Sequence, residues 1–268
     1  MSNLKIFCVT NKRLNLLENF AYHLCSVGNE ILPNQYINCN YNDNIFKKEK
    51  YYSELTFHYW YWKNLLNNEK SDWVGFCQKR RFWIKKNSKD FNINNKNILE
   101  HLLVEPDTKW SDYNSIICNP IDVSGAKKMK IFKRGWKNVI RNPSVIFDKK
   151  KQTLKLHFDM HHGFGNLDKA INILTKDDRE EFRQFVNTSN FYNPHIMFIV
   201  RPEILDKWFK KLFEWLENCE NVFGFESLKG YDTQRLYAYL AERYLSFWFR
   251  KYTRSLEWPW IFFDFNNQ

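Results

Sequence analysis

The 268-residue sequence is poor in glycine and proline, with only eight Gly and seven Pro. So few breakers exclude a collagen-like chain and argue against long linkers or low-complexity repeats. The six cysteines include no C-x-x-C pair, which predicts buried reduced thiols rather than a disulfide framework or a zinc site. No signal peptide is evident, and no apolar run reaches the roughly 18 residues of a membrane span, so we expect a soluble, cytoplasmic protein.

Apolar side chains and positive charge are abundant. Hydrophobic residues make up 44% of the chain and aromatic residues 18%, a composition that excludes disorder for most of it. The net charge is +11. This charge has two equally good explanations. It belongs to a solvated basic surface, or it serves binding to nucleic acid, to an anionic membrane face or to a phosphate-bearing substrate. The basic runs at residues 79–81, 85–86, 127–128 and 149–151 are short and scattered.

Strand and helix patterns alternate along the chain, which predicts an α/β fold with a mostly parallel sheet. The predicted strands are residues 4–10, 72–77, 115–118 and 196–200. The predicted helices are residues 14–24, 54–66, 175–186 after a capping box at Thr175, 202–216, and a last helix capped by Asp232. Residues 85–100 and 120–155 are polar and predicted to be irregular. No domain boundary is evident, so we expect one domain over residues 1–268.

Polar residues follow the first two predicted strands. Thr10, Asn11 and Lys12 come directly after the first strand, and residues 78–81 (Gln-Lys-Arg-Arg) come after the second. Because open α/β sheets bind ligands outside the carboxyl ends of their strands, we expect these residues to lie together at a ligand site. Two arginines there predict phosphate binding, since guanidinium groups bind phosphate bidentately. The alternative is a solvated basic turn, or structural arginines that pair with carboxylates.

A second polar cluster covers residues 159–168. Two of the eight glycines stand within three residues there, which suggests a backbone that closely approaches another group. His161, His162 and Asp168 are candidates for a metal site or for the base that deprotonates an acceptor. A structural turn with Asn166 as a helix N-cap explains the same residues equally well.

Three charged or polar residues of the C-terminal half lie outside these two clusters. Glu242 and Arg243 are adjacent on a predicted helix, so we expect them to point in different directions, one as a buried partner of the arginine pair at residues 80–81 and the other reaching the cleft. His195 precedes a buried strand, a position that favours a structural role.

Two sequence blocks resemble a known family. Residues 53–64 (SELTFHYWYWKN) and 74–82 (VGFCQKRRF) are similar to the paired signature "ELTxxYWxWKN … GLCHYRRYF" of bacterial capsular-polysaccharide-locus glycosyltransferases, long described only as a domain of unknown function. The segments VTNK (residues 9–12), IMFIV (196–200) and RLYAYLAER (235–243) extend the resemblance from residue 4 to about 250. Asn11 and Gln78 replace the two histidines of the pattern and Lys79 replaces its tyrosine, so no imidazole role carries over there.

The resemblance implies a nucleotide-diphospho-sugar transferase (GT-A-like) α/β fold with a Rossmann-like N-terminal half and C-terminal helices. It implies a donor-binding half at about residues 1–120 and an acceptor side with packed helices at about residues 121–268. The implied activity is hexosyltransferase-like: a sugar moves from a nucleotide sugar, with a UDP-sugar expected, to a growing capsular or other surface polysaccharide or a lipid-linked glycan. Peripheral contact with an anionic membrane at the cytoplasmic face is compatible with this role, and no nucleic-acid partner is expected.

The resemblance and the residue patterns together assign two groups of site residues. The donor-binding group is Thr10, Asn11, Lys12, Glu54, Lys63, Asn64, Gln78, Arg80 and Arg81. The catalytic group is Asp168, His162 and Glu242.

No metal ligand is assigned. Enzymes of the implied fold usually hold Mn²⁺ or Mg²⁺ on a D-x-D motif, and none stands at a predicted strand end here: Asp264 lies in the aromatic tail, and residues 177–178 begin a helix. A divalent cation therefore stays an open option, and the two arginines are candidates to replace its charge. The competing functions are a nucleic-acid-binding protein, a metal-dependent nuclease or hydrolase built on His161 and His162, and a non-catalytic scaffold of polysaccharide assembly.

Overall fold

The computed structural model describes residues 3–89 and 91–265. The strands are β1 (Leu4–Thr10), β2 (His23–Ser26), β3 (Ile37–Asn38), β4 (Trp73–Gln78), β5 (Arg81–Trp83), β6 (Ser115–Cys118), β7 (Ile121–Asp122), β8 (Phe191–Tyr192), β9 (Phe198–Val200), β10 (Ser255–Trp258) and β11 (Trp260–Phe262). The α-helices are α1 (Glu49–Tyr52), α2 (Leu55–Asn64), α3 (Ile98–His101), α4 (Lys128–Arg134), α5 (Trp136–Arg141), α6 (Leu154–His162), α7 (Asn166–Ile173), α8 (Lys176–Thr188), α9 (Pro202–Phe223) and α10 (Leu236–Tyr252).

The chain forms two compact units. Unit 1 comprises the residues up to Asn119, His195–Lys211 and the residues from Phe249 onward, and it contains the main sheet. Unit 2 comprises Pro120–Pro194 and Leu212–Trp248, and it contains α4 to α8 and the short β7–β8 pair. No helix in the described part of the chain is long and apolar enough to cross a membrane.

The main sheet has the strand order β10-β6-β9-β4-β1-β2-β3, and β5 links β4 to β11. Strand β1 is parallel to β2 and β4, whereas β9 is antiparallel to both of its neighbours, β4 and β6. The sheet is therefore mixed, and the prediction of a mostly parallel sheet is correct only for the β4-β1-β2-β3 half and the β10-β6 pair. A short, fully buried apolar run has the same pattern in either direction, so the sequence of β9 does not reveal its orientation.

The sheet is closely packed around Gly75, near the middle of β4. A Cβ atom at this position would lie 2.8 Å from Ile199 Cγ1 and 3.2 Å from Ile6 Cγ1. Those isoleucines belong to β9 and β1, the two neighbours of β4. Glycine is therefore needed here because the adjacent side chains already fill the space above the strand. All six cysteines are buried thiols, as predicted.

The predicted helix over residues 14–24 is wrong. The chain forms a single 3₁₀ turn at Asn15–Leu17 and then strand β2, which pairs in parallel with β1. Leu17 and Leu24 are buried in the core without a helix, and the Leu14 N–H donates to Tyr36 Oη at 2.9 Å. The apolar residues here have helical spacing, but the same spacing also lets them be buried without a helix. A helix at these positions would leave the backbone groups along one edge of β1 without hydrogen-bond partners, whereas strand β2 pairs with them.

Other helix boundaries also differ from the sequence patterns. Asp232 does not cap the last helix, which begins at Leu236. Thr175 occupies the N-cap of α8, but its side chain makes no capping hydrogen bond. Residues 120–155 are not irregular, since they form α4 and α5 on a small core of their own. The predicted helix over residues 202–216 continues to Phe223.

Candidate functional site

The first predicted cluster lies in unit 1, where strands β1 and β4 end. Val9 is opposite Gln78 in the parallel pair, and the Lys79 N–H donates to the Val9 carbonyl at 3.0 Å. Lys79 Nζ donates a hydrogen bond to Asn11 Oδ1. The two strand ends that the sequence assigns to one site are therefore adjacent, and their role in binding a donor stays a prediction.

Thr10 and Lys12 form a tight turn at the end of β1. Thr10 is buried, and its Oγ1 donates to the Lys12 carbonyl at 2.6 Å and accepts from the Lys12 N–H at 3.0 Å. A threonine hydroxyl that bonds the backbone two residues on holds a turn in one shape. Thr10 therefore shapes the turn from inside, and Lys12 is exposed on it.

Gln78 joins three separate segments of unit 1. Its Nε2 donates to Glu54 Oε1 at 2.5 Å and also donates to the His195 carbonyl. Glu54 directly precedes α2, and His195 precedes β9. The amide thus keeps the hydrogen-bonding capacity predicted for this position and uses it to hold the start of α2 and the entry to β9 against the end of β4.

Strained backbone conformations surround this network. Ser53, Arg80, His195 and Ile196 all have positive φ angles, of 53°, 78°, 78° and 48°. Such a conformation in a non-glycine residue costs about 1–3 kcal/mol and persists only where the surrounding structure enforces it. Each of the four is next to or part of the Glu54–Gln78–His195 network, and this concentration is typical of a functional site. We name Glu54, Gln78, Arg80, Arg81 and His195 the strand-end cluster.

The cationic part of the strand-end cluster is Arg80 and Arg81. Arg80 Nη1 lies 3.5 Å from Asp264 Oδ2, and its side chain is 43% exposed. Both guanidinium carbons lie within 6 Å of the Phe262 ring, at 5.8 and 5.6 Å. The Nε atoms of both arginines are buried without a hydrogen-bond partner among the described residues. Two guanidinium groups carry ten N–H donors between them, so the ion pair with Asp264 leaves donors for a further anion.

Sequence reasoning missed one residue near this site, Asp264. His195, for which a structural role is expected, contributes its backbone carbonyl as an acceptor for Gln78. The sequence placed Asp264 in an aromatic tail with no assigned role. In the structure this tail forms β11, which pairs with β5. The pairing continues beyond β11, because the Phe263 N–H donates to the Arg80 carbonyl at 2.9 Å. The run of apolar and aromatic residues from 258 to 263 is a strand signal that could have placed Asp264 near Arg80.

Lys63 and Asn64, the remaining predicted donor residues, lie at the other end of α2. Ten residues of helix separate Asn64 from Glu54, about 15 Å along the axis. Lys63 Nζ sits 3.6 Å above the Trp62 ring, and Asn64 Nδ2 donates to the Asp43 and Trp60 carbonyls at 2.8 Å. The structure does not bring these two side chains into the strand-end cluster, and their donor-binding role stays a prediction.

The predicted catalytic residues all lie in unit 2. His162 is buried; its ring stacks on Tyr239 at 3.6 Å, and its Nδ1 is 3.1 Å from the Asp232 carbonyl. Burial and the charge of Arg243 lower the pKa of His162 to about 3. The imidazole is therefore neutral near pH 7, with its proton on Nδ1, since only a donor can bond a carbonyl. Its Nε2 then carries a lone pair.

Asp168 forms an ion pair. Lys155 Nζ lies 2.9 Å from Asp168 Oδ2 and 2.9 Å from Asp159 Oδ2, so one ammonium group bridges two carboxylates. These hydrogen bonds raise the pKa of Lys155 although burial opposes the shift. The Asp168 side chain remains one third exposed, and it is the more accessible of the two carboxylates.

The glycines beside these residues have a local structural role. Gly163 ends α6 with φ 98°, and a Cβ atom there would lie 2.3 Å from Asn166 Nδ2. Asn166 is not the N-cap of α7, which is Gly165; its side chain instead donates to the His162 carbonyl at 2.9 Å. The close approach predicted from the glycines is therefore an approach to the chain's own next helix.

Glu242 and Arg243 do not point in different directions. Arg243 is buried, and its Nη1 bonds Glu242 Oε2 at 2.7 Å. Its guanidinium also lies 3.8 Å from the Tyr192 ring and 3.2 Å from His157 Nδ1. The expectation of divergent side chains is wrong because Glu242 folds back onto the buried guanidinium, which needs a counter-charge. We name His157, His161, His162, Glu242 and Arg243 the histidine cluster.

No metal site is built around either cluster. Within residues 3–89 and 91–265, no group of three or more His, Cys, Asp or Glu side chains is arranged to hold a metal ion. At the strand ends, the carboxylates of Glu54 and Asp264 already contact Gln78 and Arg80. These residues do not form a donor set for a divalent cation.

Sequence comparison matches residues 5–253 to the family described as "Domain of unknown function (DUF4422)". The chain belongs to this family. No curated protein matches it. The family resemblance drawn from the two sequence blocks is thus confirmed at the level of a family whose description states no function.

Among solved structures, the chain is similar to the WbbM bifunctional glycosyltransferase in its apo form, with a TM-score of 0.68 and 21% sequence identity. The match covers 97% of this chain and 45% of that one, so our chain spans less than half of its length. The mannosyltransferase Ktr4p from S. cerevisiae, in complex with GDP, matches over 81% of this chain and 62% of that one at 11% identity, but its TM-score of 0.28 supports no argument. The chain therefore has a mixed α/β fold that it shares with a glycosyltransferase.

Proposed function

We propose that this chain transfers a sugar from a nucleotide-sugar donor to a glycan acceptor. The observation that carries the proposal is the strained, cationic strand-end cluster at the carboxyl edge of β1 and β4, in a fold shared with a glycosyltransferase. That edge is where open α/β sheets bind ligands. Exposed guanidinium donors at a strained strand end favour the binding of an anionic ligand over a purely scaffolding role.

The donor chemistry follows from the charges. A nucleoside diphosphate leaves the sugar with additional negative charge, and positioned cations that meet this charge lower the barrier. Arg80 and Arg81 present guanidinium donors at the strand ends, and Lys12 is exposed on the neighbouring turn. A divalent cation, where bound, would supply the same neutralisation. The arginines provide this neutralisation without a metal ion. We propose a GT-A-like site with a UDP-sugar as its donor.

The acceptor side requires removal of a proton from a hydroxyl group. Asp168, His162 and Glu242 are the proposed candidates, and the structure distinguishes their chemistry. His162 offers a neutral Nε2 but, with a pKa of about 3, is a hydrogen-bond acceptor rather than a strong base. Asp168 is a partly exposed carboxylate held by Lys155, and it is therefore the best candidate for the base among the three. Glu242 already compensates Arg243.

The proposed acceptor is a growing capsular or other cell-surface polysaccharide, or a lipid-linked glycan, met at the cytoplasmic face of the membrane. This part rests on the resemblance of the residue blocks 53–64 and 74–82 to capsule-locus transferases. Because the chain spans 45% of the bifunctional WbbM chain, the activity of that larger protein is not transferred to it.

A panel of nucleoside diphosphates and nucleotide sugars, screened by thermal unfolding with and without Mn²⁺, tests the proposed function. A ligand present at 100 times its Kd stabilises the folded state by about 2.7 kcal/mol, which one nucleotide of the panel should do selectively. A shift that appears only with Mn²⁺ would add a cation to the account. No shift with any nucleotide under either condition would overturn the proposed function.

The acceptor assignment is tested by transfer assays on two variants. His162→Ala and Asp168→Asn should leave nucleotide binding nearly unchanged, and loss of the base should reduce transfer by on the order of 10²-fold. Full transfer activity in both variants would move the base to Glu54 or Glu242.

A further inference from the structure

The positive charge of the chain is concentrated in one segment. Residues 127–151 contain ten Lys or Arg and a single acidic residue, Asp148, a net charge of +9. The whole chain carries +11, so the other residues together are close to neutral. The segment belongs to unit 2 and includes α4 and α5. A local density of charge this high predicts binding to a polyanionic surface.

One side of this segment is anchored to the protein. Ile131, Val145 and Ile146 are buried and pack in one apolar cluster with Leu156 and Met160 of α6. These anchors fix the backbone of α4 and the turn after α5, so the segment is a folded surface rather than a basic tail.

The same segment also exposes large apolar side chains. The exposed fractions are 69% for Met129, 50% for Phe132, 52% for Trp136, 70% for Ile140 and 76% for Phe147. These five residues stand among the ten basic ones, and Lys128 Nζ lies 4.9 Å from the Phe147 ring. Exposed apolar residues interspersed with lysines are the composition of a helix that lies in the plane of a membrane interface.

We propose that residues 127–151, named here the basic face, bind the surface of an anionic phospholipid membrane, with the apolar side chains inserted at the level of the headgroups. Basic side chains then contact the acidic headgroups, and the apolar ones leave water. A nucleic acid would account for the lysines but not for Met129 and Ile140, since aliphatic side chains cannot stack on bases as aromatic rings do. This proposal names a partner for the proposed transferase, whose lipid-linked acceptor would lie at the same surface.

Vesicle co-sedimentation of the full chain, without any nucleotide, tests the basic face. We expect the protein to pellet with vesicles of phosphatidylcholine and phosphatidylglycerol and to stay in solution with phosphatidylcholine alone. Raising the salt concentration should weaken this binding because it screens the headgroup charge. Equal pelleting with both vesicle types, or pelleting with neither, would overturn the proposal.

Two pairs of variants separate the charge contribution from the apolar one. Each basic residue near an anionic surface contributes roughly fivefold to affinity, so Lys133→Gln with Lys137→Gln should lower vesicle affinity about 25-fold. Its matched control is Lys207→Gln with Lys210→Gln, two exposed lysines of α9, which should retain most of the parent affinity. Met129→Ser with Ile140→Ser should lower affinity by about tenfold or more, through loss of apolar burial.

The control for the apolar pair is Ile31→Ser with Phe91→Ser, which are also exposed. All the changed residues are exposed, so thermal unfolding should be close to that of the parent. The membrane proposal is wrong, and the basic face binds nucleic acid, if two results occur together. The variant with both Met129→Ser and Ile140→Ser binds vesicles as tightly as the parent, and a DNA oligonucleotide displaces the protein from the vesicles. A chain that binds anionic vesicles but no nucleotide would instead refute the transferase and leave the basic face standing.

Discussion

The strand-end cluster and the histidine cluster contain similar residue types but differ in how the backbone and the charges are held. In and beside the strand-end cluster, the positive φ angles fall on serine, arginine, histidine and isoleucine, and the Arg80 side chain is 43% exposed. Beside the histidine cluster, the positive φ angles fall on Gly163 and Gly165, where they cost little. The arginine of the histidine cluster is buried and pairs with Glu242, although its Nε, like those of Arg80 and Arg81, has no hydrogen-bond partner among the described residues.

This difference indicates that the histidine cluster stabilises the fold and that the strand-end cluster serves a function. Strain in non-glycine residues lowers stability and is retained where the geometry is needed for another purpose. In the histidine cluster, Arg243 contacts Glu242, Tyr192 and His157, although its Nε has no hydrogen-bond partner among the described residues. The neighbouring Lys155 pairs with two carboxylates. A local concentration of polar residues therefore does not by itself identify a site, whereas its combination with backbone strain and exposed cationic side chains does.

The largest expected effect comes from Arg243. Arg243→Ala removes a buried guanidinium and leaves Glu242 without its counter-charge, which costs about 3–5 kcal/mol. Urea unfolding should show a midpoint lowered accordingly. An unfolding free energy within about 1 kcal/mol of the parent value would contradict a structural role for this pair.

The strand-end cluster should respond in the opposite way. Arg80→Ala and Arg81→Ala should each weaken nucleoside-diphosphate binding by about 1.5–3 kcal/mol, because a charge-assisted contact to phosphate is lost. Stability should change little, since the half-exposed Arg80–Asp264 pair contributes about 0–1 kcal/mol.

Arg250→Ala is the matched control for this prediction. Arg250 is 40% exposed and pairs with Glu257 at 3.1 Å, much as Arg80 pairs with Asp264. Isothermal titration should give the parent affinity for Arg250→Ala. Parent affinity in both strand-end variants would mean that the diphosphate does not bind there.

The histidine cluster should make stability depend on pH. Burial and Arg243 lower the pKa of His157 to about 2 and that of His162 to about 3 in the folded protein, from about 6.5 in the unfolded chain. The unfolded chain therefore binds protons first, and the free energy of unfolding falls as the pH drops from about 6.5 toward 3.

His162→Gln should reduce this slope by about 1.4 kcal/mol per pH unit between pH 6 and pH 4. Urea unfolding at several pH values measures it. The same slope in the parent and the variant would show that His162 is not held neutral by burial.

The smallest expected effect isolates the strain itself. Because Arg80 has φ 78°, Arg80→Gly should be more stable than Arg80→Ala by about 1 kcal/mol, since glycine adopts this conformation without a Cβ penalty. Both variants lose the guanidinium and should bind the nucleotide equally weakly. An alanine variant as stable as the glycine variant would mean that the backbone at this position is not strained.

The sequence predicted the parts of the molecule that depend on local pattern. Buried apolar runs identified β1, β4 and β6, and the helical pattern after Glu54 identified α2, because the order of apolar and polar residues in these segments determines which of them are buried. The arrangement of Asn11 beside Lys79 also followed, because the carboxyl ends of neighbouring parallel strands meet at one edge.

The remaining features depend on long-range packing. Residues 14–24 have helical spacing but pair with β1 instead, and the direction of β9 depends on connections that no local pattern encodes. The positive φ of Arg80 and the return of Asp264 through β11 are consequences of tertiary contacts. The basic face was read as scattered short runs in an irregular segment because helices as short as α4 and α5 are stabilised by their packing rather than by propensity.

Hydrogen exchange of backbone amides, measured with and without the nucleoside diphosphate that the panel selects, tests most directly whether the donor binds at the strand ends. Our account predicts slower exchange on nucleotide addition in peptides that cover residues 10–13 and 78–82, and unchanged exchange in peptides that cover residues 157–168. Protection confined to residues 157–168, or protection at neither place despite a measured affinity, would contradict it.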